Sequence, residues 1–245
     1  MRTDRHAAQR GLGLVELMVG ITIGLIVAAG ASIVAVNQIT EHRRLMLEMQ
    51  VQQDLRAAAD LLQQDLRRAG FRGQAQYGLW TPATGVGTPA QRPAQAASAN
   101  RYAAVADIDN DQMRAIEYLY ARKDGGNYPA SGAPRDNEYF GIKWDKNTKA
   151  LYLKLGRIEG RDNWQPITDP ETVEILDFSV DIQTQDISLA EFCDNACVGA
   201  NCPVQQVRHV EFQLQGRAKH DRQVVRSLNG SERIRADAVI GACPA

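Results

Sequence analysis

The sequence has almost no net charge, and it lacks the short motifs by which many enzymes are recognised. Its 28 lysine and arginine residues nearly balance 29 aspartate and glutamate residues, so the composition indicates neither a nucleic-acid-binding surface nor an acidic, solvated tail. It contains no nucleophile elbow, no zinc-protease motif, and no phosphate-binding or dinucleotide-binding glycine loop. No histidine stands beside a serine or cysteine at the spacing of a nucleophile and its base. We therefore expect no enzymatic activity and no cofactor.

Apolar residues are unevenly distributed, and one long run stands near the start of the chain. Between Leu12 and Val36 the only charged residue is Glu16. As a helix, residues 12–36 would extend roughly 37 Å, enough to cross a hydrocarbon core of about 30 Å. Residues 1–11 hold three arginines and one aspartate, which predicts a cytoplasmic N-terminus and an extracytoplasmic body.

The carboxylate in this segment requires an explanation, because a charged group at the centre of a membrane costs about 2.5 kcal/mol or more. A cleaved signal peptide is one alternative for the segment, since small residues follow near Ala31. A plain uncleaved anchor is another, and neither alternative accounts for Glu16. The simplest structural explanation of Glu16 is a carboxylate that snorkels to the interface near a helix end.

The stretch RGLGLVEL, residues 10–17, resembles the class III leader of type IV pilins. In that family a short basic peptide ends in glycine, and an apolar helix follows with glutamate as its fifth residue. The resemblance implies that a prepilin peptidase cuts after Gly11 and that Leu12, the new N-terminal residue, is methylated. It also implies that Glu16 docks against the N-terminal amine of a neighbouring subunit, an attraction that low dielectric strengthens. Leu12 departs from the family, in which phenylalanine is commoner.

No proline or glycine interrupts residues 37–69, so the sequence predicts that the helix continues through a second, periplasmic half over residues 37–70. An apolar stripe recurs there at helical spacing, at Leu55, Ala59, Leu62 and Leu66. Packing of this stripe on the chain's own domain is favoured over a free coiled coil.

The end of this helix narrows the resemblance to PilW-like minor pilins. That group commonly has an aspartate, an arginine, an alanine, a glycine and an aromatic residue here, and the matching residues are Asp65, Arg68, Ala69, Gly70 and Phe71. Gly70 is also the predicted cap of the helix. The alternative for Asp65 and Arg68 is a simple surface ion pair, worth under about 1 kcal/mol.

Residues 71–245 are predicted to form the globular domain, with a loop region over residues 71–112 and an antiparallel sheet and C-terminal loop over residues 113–245. Alternation of apolar and polar residues typical of strands occurs at 113–121, 138–145, 150–157, 173–184, 207–216 and 222–228, with a further edge strand at 233–240. No helical pattern separates these runs, so a parallel sheet is not expected. The predicted fold is therefore α+β, a long N-terminal helix on an antiparallel sheet, and the pilin resemblance implies the same form.

The four cysteines all lie in the C-terminal part of the chain, at Cys193, Cys197, Cys202 and Cys243. An even number in an extracytoplasmic segment predicts disulfides, and three pairings are possible. A zinc site, with His209 or His220 as further ligands, is the alternative, although the spacing departs from the usual one. The resemblance implies a disulfide-bounded C-terminal region, as in many pilins.

Three acids at alternate positions, Asp107, Asp109 and Asp111, are a weak calcium candidate. The loop does not match the EF-hand template, because Gln112 stands where glycine is needed and Tyr118 where the final glutamate is needed. A solvated loop before a strand is the favoured interpretation, and no other metal site is expected.

The resemblance implies a structural function. The subunit would wait in the inner membrane with its globular domain in the periplasm, and would then join other minor pilins and the major pilin through the inner-membrane assembly platform. With these partners the subunit would prime assembly of the pilus and would lie at the tip of the fibre. The pilus would serve adhesion and twitching motility. A J-like pseudopilin of type II secretion shares the leader and the fold. A membrane-anchored periplasmic enzyme or binding domain is the alternative from another class, and no nucleic-acid partner is expected.

Overall fold

The computed structural model describes residues 13–73, 100–122 and 133–244. It divides into two compact units, Met1–Met46 and Leu47–Ala245. One helix, α1, runs from Leu14 to Leu66, and a turn continues to Gly70. The predicted long helix is thus confirmed, with its last turn loosened. Residues 1–11 and the predicted cleavage site between Gly11 and Leu12 lie outside the described residues.

Two antiparallel sheets follow the helix. The described residues contain eight strands: β1 Val105–Asp109, β2 Met113–Leu119, β3 Tyr139–Asp145, β4 Ala150–Ile158, β5 Arg161–Pro166, β6 Val173–Ser188, β7 Val204–Ala218 and β8 Val225–Ile240. Strands β1 to β5 pair in chain order in one sheet, and β6 to β8 pair in chain order in the other. Every pairing is antiparallel. The α+β prediction is confirmed, although its single sheet is divided into two.

The sequence prediction missed β1 and β5, which are the two edge strands of the five-stranded sheet. Strand β1 lies inside the predicted loop of residues 71–112. Both strands are short, as edge strands often are, and they lack the sustained apolar alternation by which half-buried strands are recognised. The runs predicted at 222–228 and 233–240 form one strand, β8.

The second half of α1 packs on both sheets. The predicted apolar stripe is confirmed, because Leu55, Ala59, Leu62 and Leu66 are all less than 5% exposed. They share one core with residues from both sheets, among them Ile116, Phe140, Ile175, Phe178, Val210 and Leu214. A Cβ atom on Gly216 would lie 3.2 Å from Leu55 Cδ2, so the absence of a side chain there lets the helix approach β7 closely. Complete burial of one such leucine contributes about 1.5–3 kcal/mol.

Candidate functional site

The first half of α1 presents a continuous apolar surface. Every residue from Gly13 to Met46 is exposed, and the helix contains a window with mean hydropathy 2.4, long and apolar enough to cross a membrane. Its hydroxyl groups are satisfied within the helix: Thr22 Oγ1 donates to the Met18 carbonyl at 2.7 Å and Ser32 Oγ to the Ala28 carbonyl at 2.8 Å. Such a surface is stable only against lipid or another protein.

Glu16 lies in the first turn of α1. Its position at the helix N-terminus favours a negative charge, because the peptide dipoles place partial positive charge there. Large apolar side chains flank it, and Val15 and Leu17 are 72% and 57% exposed. Glu16 itself is exposed. The carboxylate is therefore available to a partner outside the described residues.

The helix-end motif is built into the domain by hydrogen bonds to β2 and the segment after it. The Tyr118 hydroxyl donates to Asp65 Oδ2 at 3.2 Å. Burial raises the pKa of Tyr120, and the neighbouring Arg68 acts in the opposite direction. Burial raises the pKa of Asp65, while the Tyr118 hydrogen bond and the charge of Arg68 act in the opposite direction. The pKa of Tyr118 is also raised, first by burial and then by the charge of Asp65. Asp65 is thus anchored to Tyr118, which is more than a surface ion pair.

Gly70 is the point where this motif meets β8. Its φ of +78° is in the left-handed region, and a Cβ atom there would lie 3.1 Å from Ala236 Cβ and 3.3 Å from Arg208 Nη2. The Gly70 amide donates to the Leu119 carbonyl at 2.8 Å, and Asn100 Nδ2 donates to the Gly70 carbonyl at 2.7 Å. Glycine is required because of both the backbone conformation and the space.

An irregularity in β8 brings Ala236 to this place. Gln206 pairs with Ala238 and Arg208 pairs with Ile234. Between these two pairs β7 has one residue, whereas β8 has three. The surplus residues bulge out of the ladder and bend the strand locally. The half-buried Arg208 guanidinium holds the bulge, since it donates to the Ala103 carbonyl and, at 3.4 Å, to the Ala236 carbonyl.

A cavity of about 700 Å³ opens between the helix end, the segment after β2 and this bulge. Five arginines line it, and we name it the arginine pocket after Arg67, Arg68, Arg72, Arg122 and Arg235. Phe71, Ala121 and Ala236 form its apolar wall. The sequence reasoning found Arg68 and Phe71 through the motif but missed the pocket, because Arg122 and Arg235 come from distant parts of the chain and no local pattern connects them.

Asp107 and Asp109 lie in strand β1 rather than in the predicted loop, and they form an ion-pair network. Arg114 contacts Asp107 Oδ2 at 3.0 Å and Asp109 Oδ2 at 2.8 Å, and Lys146 contacts Asp109 Oδ1 at 2.9 Å. Hydrogen bonding to Lys146 lowers the pKa of Asp109. Two of the three calcium-candidate carboxylates thus have protein cations as partners, and the described residues contain no group of three or more acid, histidine or cysteine side chains that could hold a metal.

The four cysteines form two disulfides. Cys193 bonds to Cys243, and we call this the long disulfide because 50 positions separate its ends. Cys197 bonds to Cys202 across five positions, and we call this the short disulfide. All four cysteine sulfur atoms are bonded in disulfides, which favours the disulfide interpretation over a zinc site. The long disulfide ties the tail after β8 to the loop between β6 and β7.

Two protein-family models match the chain. The one described as prepilin peptidase-dependent protein B matches residues 44–234, well over half of the chain. The prokaryotic N-terminal methylation motif matches residues 6–32, which include Gly11, Leu12 and Glu16. No curated protein and no solved structure matches the chain significantly.

Proposed function

Since the chain belongs to the prepilin peptidase-dependent protein B family, we propose that it is a minor pilin, PilW-like in its role, that primes assembly of a type IV pilus. In this proposal the subunit remains near the tip of the fibre, beside other minor pilins and the major pilin. Its role is interaction rather than catalysis. The globular domain faces the periplasm until the assembly platform draws the subunit out of the inner membrane.

The observation that carries the proposal is the exposed apolar surface of residues 13–36 with its single carboxylate, Glu16. Lipid would cover this surface before assembly, and the apolar helices of neighbouring subunits would cover it afterwards. Leaving lipid for such a bundle costs little hydrophobic energy, because both surroundings are apolar. Glu16 then supplies the specific attraction.

Processing generates the partner charge. Cleavage after Gly11 leaves Leu12 as the N-terminal residue, and its methylated amine stays protonated at neutral pH. At 4 Å a carboxylate and an ammonium group attract each other by about 4 kcal/mol at an effective dielectric constant near 20. One such contact to a neighbouring subunit is enough to favour one register of the bundle over its neighbours.

Mass spectrometry of the mature N-terminus tests the processing. We expect a chain that begins with methyl-Leu12 when the prepilin peptidase is present, and an unprocessed chain when the peptidase gene is deleted. An intact Met1 in the wild-type strain, or a cut near Ala31, would refute the proposal in favour of an anchor or a signal peptide.

The docking role of Glu16 is tested by Glu16→Ala in a strain that lacks the native copy. We expect normal membrane insertion and leader cleavage, with strongly reduced incorporation into sheared pili. Glu41→Ala is the matched control, because Glu41 is an exposed acid of the same helix beyond the apolar segment. Equal incorporation of the two variants would contradict the docking role. Loss of type II secretion with unchanged pili in the deletion strain would identify a pseudopilin instead.

A further inference from the structure

The arginine pocket is strongly cationic. Asp237 is the one carboxylate among the described residues that line it. Glu232 contacts Arg67 at 2.9 Å and Arg233 contacts Asp237 at 2.7 Å, just outside the lining. The described lining thus holds five arginines and one carboxylate, so its side chains carry a net positive charge.

Two of these arginines have partners before any ligand arrives. Arg67 is paired with Glu232, and the guanidinium carbon of Arg122 lies 5.5 Å from the centroid of the Phe140 ring. Side chains that are already ordered lose less conformational entropy when they bind. The pocket is thus a preorganised group of guanidinium donors.

The apolar wall restricts the ligand further. Phe71 is 47% exposed, and Ala121, Ala236 and Gly70 continue an uncharged surface beside the arginines. A purely inorganic anion would leave this surface in water. A cavity of about 700 Å³ lies within the range of about 300–1,000 Å³ that binding pockets commonly have, and it has room for a few amino-acid side chains.

We propose that the arginine pocket binds an acidic peptide segment of a neighbouring subunit, one that carries carboxylates beside an aromatic or aliphatic side chain. Guanidinium groups match carboxylates with paired hydrogen bonds, and the apolar side chain of the segment packs on Phe71. That the segment comes from another pilin rests on the proposed function. The chemistry of the pocket does not depend on it.

Binding is tested with the full chain in nonionic detergent micelles and a fluorescein-labelled peptide, Glu-Glu-Phe-Glu-Glu, by fluorescence anisotropy at low salt. We expect saturable binding, because carboxylate and apolar side chain are both present in the probe. The peptide Gln-Gln-Phe-Gln-Gln, which keeps the size and the ring, should bind at least about tenfold more weakly, as expected for lost charged hydrogen bonds. Inorganic pyrophosphate and a short DNA strand are tested as competitors.

The pocket is tested with the double variant Arg122→Gln and Arg235→Gln, both at exposed positions. We expect its Kd for the acidic peptide to rise about tenfold or more, since hydrogen bonds to charged groups contribute about 1.5–3 kcal/mol each. Arg161→Gln with Arg222→Gln is the matched control, because these arginines are also exposed but lie outside the pocket. Unchanged circular dichroism of both double variants confirms that they fold.

Two results would overturn the inference: equal loss of affinity in the pocket and control variants, or arginine-dependent binding of pyrophosphate or DNA without binding of the acidic peptide. Neither result bears on the mature N-terminus. A chain that carries methyl-Leu12 yet fails to bind the peptide would refute this inference alone. Peptide binding by the chain, together with a leader that stays uncut after Gly11 in the wild-type strain, would refute the proposed function alone.

Discussion

Replacing Gly70 with alanine tests how the helix-end motif is joined to β8. Alanine at a φ of +78° costs about 1–2 kcal/mol for the left-handed conformation. The same change recovers about 0.4–1 kcal/mol, because alanine restricts the unfolded chain. The backbone contribution alone therefore lowers the free energy of unfolding by roughly 1 kcal/mol.

Contacts add to this cost. The new Cβ atom would lie 3.1 Å from Ala236 Cβ, shorter than the favourable carbon–carbon separation of about 3.5–4.0 Å. Arg208 cannot move aside without weakening its bonds to the Ala103 and Ala236 carbonyls. Overpacking of this kind costs about 1–3 kcal/mol. We expect Gly70→Ala to lower the free energy of unfolding by about 2–4 kcal/mol in total.

Gly160→Ala is the matched control. Gly160 has a φ of +76°, and no atom lies within 4 Å of its ideal Cβ position, so it carries the backbone cost without the contacts. Urea unfolding of the full chain in nonionic detergent, followed by tryptophan fluorescence, should place the Gly70→Ala midpoint about 1 M below that of the control, for a slope of about 1–3 kcal/mol per M.

The Ala236→Gly change should restore part of the loss when it is combined with Gly70→Ala, because it removes the Cβ–Cβ contact. A double-mutant cycle measures this coupling energy directly. Equal midpoints for Gly70→Ala and Gly160→Ala would refute the contact argument. A gain in stability on Gly70→Ala would refute the backbone argument as well.

Three further outcomes follow from the core, the disulfides and the half-buried Asp65. Leu62→Ala should cost about 2–5 kcal/mol in urea unfolding, because Leu62 is 1% exposed, whereas Leu61→Ala should cost far less, because Leu61 is 38% exposed. Replacing both cysteines of the long disulfide with alanine should lower the free energy of unfolding by about 4 kcal/mol, and the same change in the short disulfide by about 2 kcal/mol, since the entropy cost of closing a loop rises with its length. Equal losses in the two variants would contradict this reasoning. Burial raises the pKa of Asp65 above 3.8 in the folded chain. The protonated Asp65 side chain therefore contributes fully to the free energy of unfolding below about pH 3.8, and this contribution is lost as the pH rises through the pKa of Asp65 in the folded chain. Asp65→Asn should therefore gain stability relative to the parent chain as urea unfolding is repeated from about pH 4 to about pH 7, and a constant difference would show that burial does not control this carboxyl group.

Local patterns were sufficient for the elements whose residues lie close together in the chain. The stripe of Leu55, Ala59, Leu62 and Leu66 is buried as helical spacing predicted, and β7 buries Val210, Phe212 and Leu214 as its alternation predicted. Strands β1 and β5 were missed because edge strands need no apolar face. Their backbones are ordered by pairing with β2 and β4. This pairing cannot be predicted from the sequences of β1 and β5 alone.

The sequence by itself determined the apolar segment, its single carboxylate, the long helix and the alternating strands. These features depend on residues a few positions apart, and helical or strand periodicity carries them directly. Only the tertiary structure decided the disulfide pairing, the division into two sheets and the arginine pocket. The pocket depends on the bulge in β8, which sets Ala236 against Gly70 and so brings Arg235 beside Arg68 and Arg122. Contacts between such distant residues arise from packing, and no periodicity in the chain encodes them.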